Sequence, residues 1–253
     1  MNHRLGMAVV TILTTAVLGS LFSVPVRAAG PSDSQIKADV HRQLARLDRS
    51  AERLTVDVRN GVVMLSGDIA TLWLKEEAIR RSLKVDGVQS LEADLVIPRA
   101  ENDAALGREV AKRIRDYDLY TVYDSLEGRV RDGHVLLAGA VTEDKKSADI
   151  LERIAKVKGV QAIDNRLVIL PASESDDRLR VVIATAIYRD EAFTHYSMVD
   201  PPVHVIVNNG HVQLVGFVRS QIELIKAESI ARSVFGVLAV ENRVQLIGRA
   251  QGH

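Results

Sequence analysis

Short runs of alternating apolar and polar residues flank three dipeptides, Asn60-Gly61, Asp132-Gly133 and Asn209-Gly210. Alternation is the period of a half-buried strand. A dipeptide of this type between two such runs signals a hairpin, because a type I′ turn needs positive φ at both central residues. Counting outward from the turns predicts Val58 opposite Val63, Val56 opposite Leu65, Val130 opposite Val135, Val207 opposite Val212 and Val205 opposite Leu214. Each hairpin then carries one apolar face. Ahead of each hairpin the period changes: Ile36, Val40 and Leu44, then Leu106, Val110 and Ile114, then Leu179, Ile183 and Ile187 recur at i, i+4, i+8, the stripe of an amphipathic helix. Behind each hairpin a second helix is expected, N-capped by Thr71, Thr142 or Ser220, with Ser220 and Glu223 forming a capping box, and then a third strand.

The pattern is a repeat. Gly-x-Val-x-Leu-x-Gly runs from Gly61 to Gly67, from Gly133 to Gly139 and from Gly210 to Gly216, and the interval from Gly61 to Gly87 recurs unchanged from Gly133 to Gly159 and from Gly210 to Gly236. Because the helical stripes need cover, and the apolar face of the adjoining sheet is the partner of the right size, each unit is expected to be an αββαβ two-layer sandwich. The fold class is α+β: three tandem units, each a small mixed three-stranded sheet covered on one face by two helices. The division is 1–28 leader, 33–98, 102–170 and 175–247 repeats, and 248–253 tail. Units of this size sit near the lower limit of independent stability, so packing between neighbours is expected to contribute. On the inward phase of the third strand, Asn165 and Asn242 stand where Ala93 lies in the first copy. Their amides either bond local backbone or bind a ligand.

Composition narrows the function classes. Lys plus Arg and Asp plus Glu are both 33, so no net basic field draws in nucleic acid, and there is no cysteine for a disulfide, a thiol nucleophile or a lipoprotein anchor. The chain starts with His3-Arg4, an apolar stretch to Val24, Pro25, and then Val26-Arg27-Ala28. This reads as an export signal cleaved between Ala28 and Ala29, the alternative being a retained anchor. No catalytic motif, metal cluster, cofactor site or small-molecule substrate site is expected. The histidines are scattered: His134 and His211 follow the hairpin glycines opposite Arg131 and Asn208, and His204 falls opposite Val215, which disfavours a two-histidine metal site.

The repeated glycines, together with the joining segment Leu170-Pro171-Ala172-Ser173-Glu174-Ser175-Asp176-Asp177-Arg178 and the stretch Pro201-Pro202-Val203-His204-Val205, resemble the BON domain of bacterial envelope and osmotic-stress proteins. The resemblance covers nearly all of the chain after the leader. It implies a periplasmic, non-catalytic protein that binds phospholipid or other envelope components, with the alternative of a chaperone-like adaptor for unfolded or outer-membrane proteins. Its hallmark residues, Gly61, Gly67, Gly87, Gly133, Gly139, Gly159, Gly210, Gly216 and Gly236, are backbone devices and define no lipid contact.

Two candidate surfaces remain, each with an ordinary structural reading beside it. Arg108, Lys112 and Arg115 form a stripe opposite Leu106, Val110 and Ile114, with Arg113 nearer the edge and Glu109 and Asp116 diluting the charge. Repeat one offers Arg42, Arg46 and Arg49. Such faces suit anionic headgroups, and they are also what any soluble helix presents. The second surface is the loop after the first helix, with Tyr117, Leu119, Tyr120 and Tyr123 in repeat two and Tyr188, Phe193, Tyr196 and Met198 in repeat three. These aromatics suit an anionic membrane interface or a protein partner, or they close a small core; Trp73 poses the same choice.

Overall fold

The computed structural model describes residues 30–247; the leader reading of 1–28 and the tail reading of 248–253 lie outside them. Module one runs α1 (Asp33–Ala45), a short α2 (Arg49–Glu52), β1 (Thr55–Arg59), β2 (Val62–Asp68), α3 (Leu72–Leu83) and β3 (Ser90–Val96). Module two is α4 (Asp103–Arg115), β4 (Ser125–Arg131), β5 (His134–Val141), α5 (Asp144–Ala155) and β6 (Ala162–Ile169). Module three is α6 (Glu174–Arg189), a 3-10 turn (Glu191–Phe193), β7 (Val203–Asn208), β8 (His211–Val218), α7 (Gln221–Ser233) and β9 (Ala239–Leu246). Each sheet has three strands in sequence order, the first pair antiparallel and the second parallel.

The hairpin registers agree with the sequence count, including His204 opposite Val215. Asn60, Asp132 and Asn209 adopt φ of 51°, 52° and 50°, and the glycines after them are also positive. A residue not singled out from sequence holds each turn. The carboxylate of Asp33 accepts from the amides of Asn60 and Gly61 at 2.7 and 2.9 Å, Asp103 does the same for Asp132 and Gly133, and Asp176 for Asn209 and Gly210. A charged acceptor on the first turn of the leading helix thus ties that helix to the far end of its hairpin.

The caps follow expectation at two helices of three. Thr71 accepts from the Leu74 amide, and Ser220 with Glu223 forms the capping box. Thr142 does not cap α5, whose N-cap is Glu143 without a side-chain bond. The Thr142 amide and hydroxyl instead bond Asp124 at 3.0 and 3.1 Å. Asp124 also accepts from the Thr121 amide and hydroxyl and from Lys146 Nζ at 2.7 Å. Both ionic side chains are buried, 0% exposed for Asp124 and 6% for Lys146.

The modules are not independent beads. Modules one and two share one continuous apolar cluster that runs through α3 and α5. Trp73 sits at this seam, half-buried with Lys156 Nζ 4.6 Å from its ring centre, and the Gln161 side-chain amide donates to the Ile97 carbonyl at 3.1 Å. Modules two and three meet differently, through the sheet faces that carry no helices. Ile206, on the outward phase of β7, is only 5% exposed, and the clefts between these faces are lined from both modules, by Leu136 and Ala138 on one side and His204 and Val215 on the other. The Val205 amide donates to the Val122 carbonyl at 2.8 Å, across the outer edge of β7.

Candidate functional site

Helix α4 begins at Asn102, whose side chain accepts from the Ala105 amide at 2.7 Å. Leu106 and Val110 are buried at 3% exposure each, which fixes the helix's rotation and turns Arg108, Lys112, Arg113 and Arg115 to solvent. Arg113 is held by Glu109 at 3.0 Å. Among the described residues, Arg108, Lys112 and Arg115 have no carboxylate within 4.0 Å. The last turn, with Lys112, Arg113 and Arg115, also gains from the helix dipole, which accounts for part of this placement without a ligand.

The corresponding stripe of module one is interrupted. Arg42 pairs with Asp39 at 2.9 Å, α1 ends at Ala45 with Arg46 as its C-cap, and Arg49 opens the separate helix α2. The three cations therefore do not lie along one helix face, because the chain turns at Leu47 and Asp48 to bury Ala51 and Leu54. Among the described residues Arg46 and Arg49 also lack a carboxylate within 4.0 Å, but they stand on separate elements, whereas α4 sets three such cations on one helix.

The aromatic loops lie mostly inside. Phe193 is fully buried, its ring centre 6.2 Å from that of Tyr188 in an edge-on arrangement. Tyr117 is 4% exposed; its hydroxyl donates to Asp149 at 2.9 Å and its ring receives Arg153. Burial first, and the Asp149 carboxylate second, push the Tyr117 hydroxyl up to about 12. Tyr196 is half-buried, with its hydroxyl toward Glu223 and Arg219 over its ring. Tyr120, also half-buried, stacks at 5.2 Å against His204. Of the two readings offered by the sequence, contact surface or core closure, these residues take the second, as core and seam: sheets this small leave their ends open, and ring-bearing loops close them. Large apolar side chains that do reach solvent include Leu119, Phe217 and the fully exposed Phe235, the last two of which the sequence did not single out.

The amides and histidines resolve toward structure. Asn165 accepts from the Leu167 amide at 3.1 Å, while Asn242 accepts from Val244 and donates to the Leu224 carbonyl and to Glu228. His134 and His211 are exposed beside their turns. His204 is set apart from them. Its Nδ1 lies 3.2 Å from the Thr121 carbonyl at the seam of modules two and three, and burial pushes its pKa below the ordinary histidine value. Among the described residues, no three His, Asp or Glu side chains converge to hold a metal, and no helix is long and apolar enough to cross a membrane.

The family model described as "BON domain" matches residues 32–99, 102–171 and 175–248. Two solved structures of CdsD from Chlamydia trachomatis, described as a structural protein of the type III secretion system, align with 15% identity and a TM-score of 0.24. One covers 83% of this chain and 91% of its own, and the other, a C-terminal domain, 86% and 100%. A likeness this distant adds nothing on function. No curated protein matches the chain.

Proposed function

Because the chain belongs to the BON domain family, a family of non-catalytic modules associated with membrane and envelope binding, we propose that it is an exported periplasmic protein that associates reversibly with anionic phospholipid through helix α4. The observation that carries this reading is the exposed trio Arg108, Lys112 and Arg115 on one helix, without a carboxylate partner among the described residues, while neighbouring Arg113 is paired and the module-one cations are paired (Arg42) or split between elements (Arg46 and Arg49). A pairing partner would already have discharged the field; here it remains available to phosphate. Each well-placed cation contributes about 1 kcal/mol at an anionic surface, so three give a partition preference of roughly 100-fold over a neutral one. Maintenance of the envelope under stress is the physiological role this binding would serve.

The test is vesicle flotation. The protein is expected to float with phosphatidylglycerol vesicles at low salt, to remain behind with phosphatidylcholine, and to dissociate at high salt. Replacing Arg108, Lys112 and Arg115 together by Glu is expected to abolish flotation. Failure to float with anionic vesicles at any ionic strength refutes the proposal. The burial of Tyr117 and Phe193 removes part of the surface on which an adaptor for unfolded proteins would rest.

A further inference from the structure

Module two departs from its two siblings on the side where α4 meets β4. In module one the strand places Leu54, Val56 and Val58 against the helix, exposed by 2%, 2% and 8%, and in module three Val203, Val205 and Val207 are fully buried. The equivalent residues of module two are Leu126, Gly128 and Val130, and the two flanking ones are only half-buried. Gly128 takes the place of a valine. On the helix, Gly107 stands where module three has Arg180, a buried side chain that reaches the Val207 carbonyl at 2.6 Å and fills the corresponding space. Ile114 is half-exposed where Leu44 and Ile187 are fully buried.

The connecting segment explains why the space stays open. In module one α2 folds over this side, burying Ala51, and in module three the 3-10 turn does so with Phe193. Module two's connection instead gives Val122 to the apolar cluster of module three. What remains is a slot of about 520 Å³, within the range of small-ligand sites, lined by Gly107, Ala111, Ile114, Leu126, Gly128 and Val130. Arg115 stands on its rim, one of the three unpaired cations of α4. Asp103, also on the rim, is committed to the turn amides of Asp132 and Gly133.

We infer that this slot takes one acyl chain of an anionic phospholipid whose phosphate sits on Arg115 and its neighbours. The inference rests on the lipid-binding reading of α4 and deepens it from surface attraction to capture of a single lipid. Apart from Tyr120 and the rim residues Asp103 and Arg115, the side chains that line the slot are aliphatic and offer no hydrogen bond, which suits a hydrocarbon and leaves most polar groups of another guest unpaired. Arg115 lies where the headgroup emerges.

Closing the slot tests this. Gly128→Val restores the residue both sibling strands carry, at a site with ordinary φ and no atom nearer to an added Cβ than the Leu136 carbonyl at 3.8 Å; Gly107→Leu fills it from the helix, where an added Cβ would meet Val130 at 3.8 Å. Calorimetric titration of the purified protein with lauroyl-lysophosphatidylglycerol below its micelle concentration is expected to show one saturable site, and glycerophosphoglycerol, the same head without a chain, none. Both variants are expected to bind the lysolipid at least roughly tenfold more weakly while melting no lower than the wild type. Equal binding by variants and wild type overturns the slot, as does an extended apolar peptide that binds in place of the lysolipid. Wild type that floats with anionic vesicles yet ignores the lysolipid overturns the slot and leaves the surface reading standing; wild type that does neither overturns both.

Discussion

Removing the Asp124 carboxylate is expected to be among the most damaging single changes in module two. The group is fully buried and accepts from five donors: the amides and hydroxyls of Thr121 and Thr142, and Lys146 Nζ. Asp124→Ala strands a buried ammonium and four neutral donors. Breaking a buried pair from one side costs about 3–5 kcal/mol, so a loss of about 4 kcal/mol is expected. Lys146→Met leaves the carboxylate with its four remaining donors and is expected to cost less, about 2 kcal/mol. If the orphaned ammonium dominates, adding Lys146→Met to Asp124→Ala recovers part of the loss, with a coupling above about 1 kcal/mol in the double-mutant cycle. The chain's one tryptophan, Trp73, lies at the seam of modules one and two, so its emission during urea unfolding follows this region. With a slope of about 2 kcal/mol per molar urea, Asp124→Ala moves the midpoint by roughly 2 M. A shift equivalent to less than about 1 kcal/mol, or strict additivity in the cycle, would refute the reasoning.

Two further outcomes are expected. Gly139 holds φ of 128°, and a Cβ there would collide with the Ser125 carbonyl oxygen across the ladder; Gly139→Ala is expected to lower stability by about 2–3 kcal/mol, whereas Gly128→Ala, with room and an ordinary φ, stays within about 1 kcal/mol in the same urea unfolding experiment. His204, its pKa depressed mainly by burial although the Thr121 carbonyl, Asp124 and Asp200 pull the other way, binds its proton less readily folded than unfolded. Stability is therefore expected to fall as pH drops below the ordinary histidine value and to level off beneath the depressed one. His204→Gln flattens that part of the profile, and imidazole NMR titration reads the shift directly; an undepressed titration would remove the argument.

The architecture was legible because two strong periods and three positive-φ corners agree with one another. Alternation fixed which side of each strand faces the helices, and the Asn/Asp-Gly turns fixed the register, so Val58, Val130 and Val207 find their partners without reference to anything distant. Long-range choices were less legible. Thr142 has the residue type and position of a cap, and only the fold brings Asp124 close enough to claim it. For Tyr117 and Phe193 a linear reading leaves interface and core both open, because the space they fill is created by tertiary packing. Arg49 continues a helical spacing past the point where the helix stops. One signal for the seam of modules two and three was present: Ile206 breaks the alternation by placing an apolar residue on the wet side of β7, which a buried second face explains. The open side of α4 had its own trace in Gly128, a glycine where both sibling copies have valine.

The amide link from Val205 to Val122 has a bearing on how the protein can be cut. With it in place, the backbone of the last ladder is partly occupied along its free margin and offers less of a template to another chain. A fragment starting at module three would lose that guard together with the apolar cover over Ile206, and should be prone to self-association, growing in size with concentration in a way the intact protein does not.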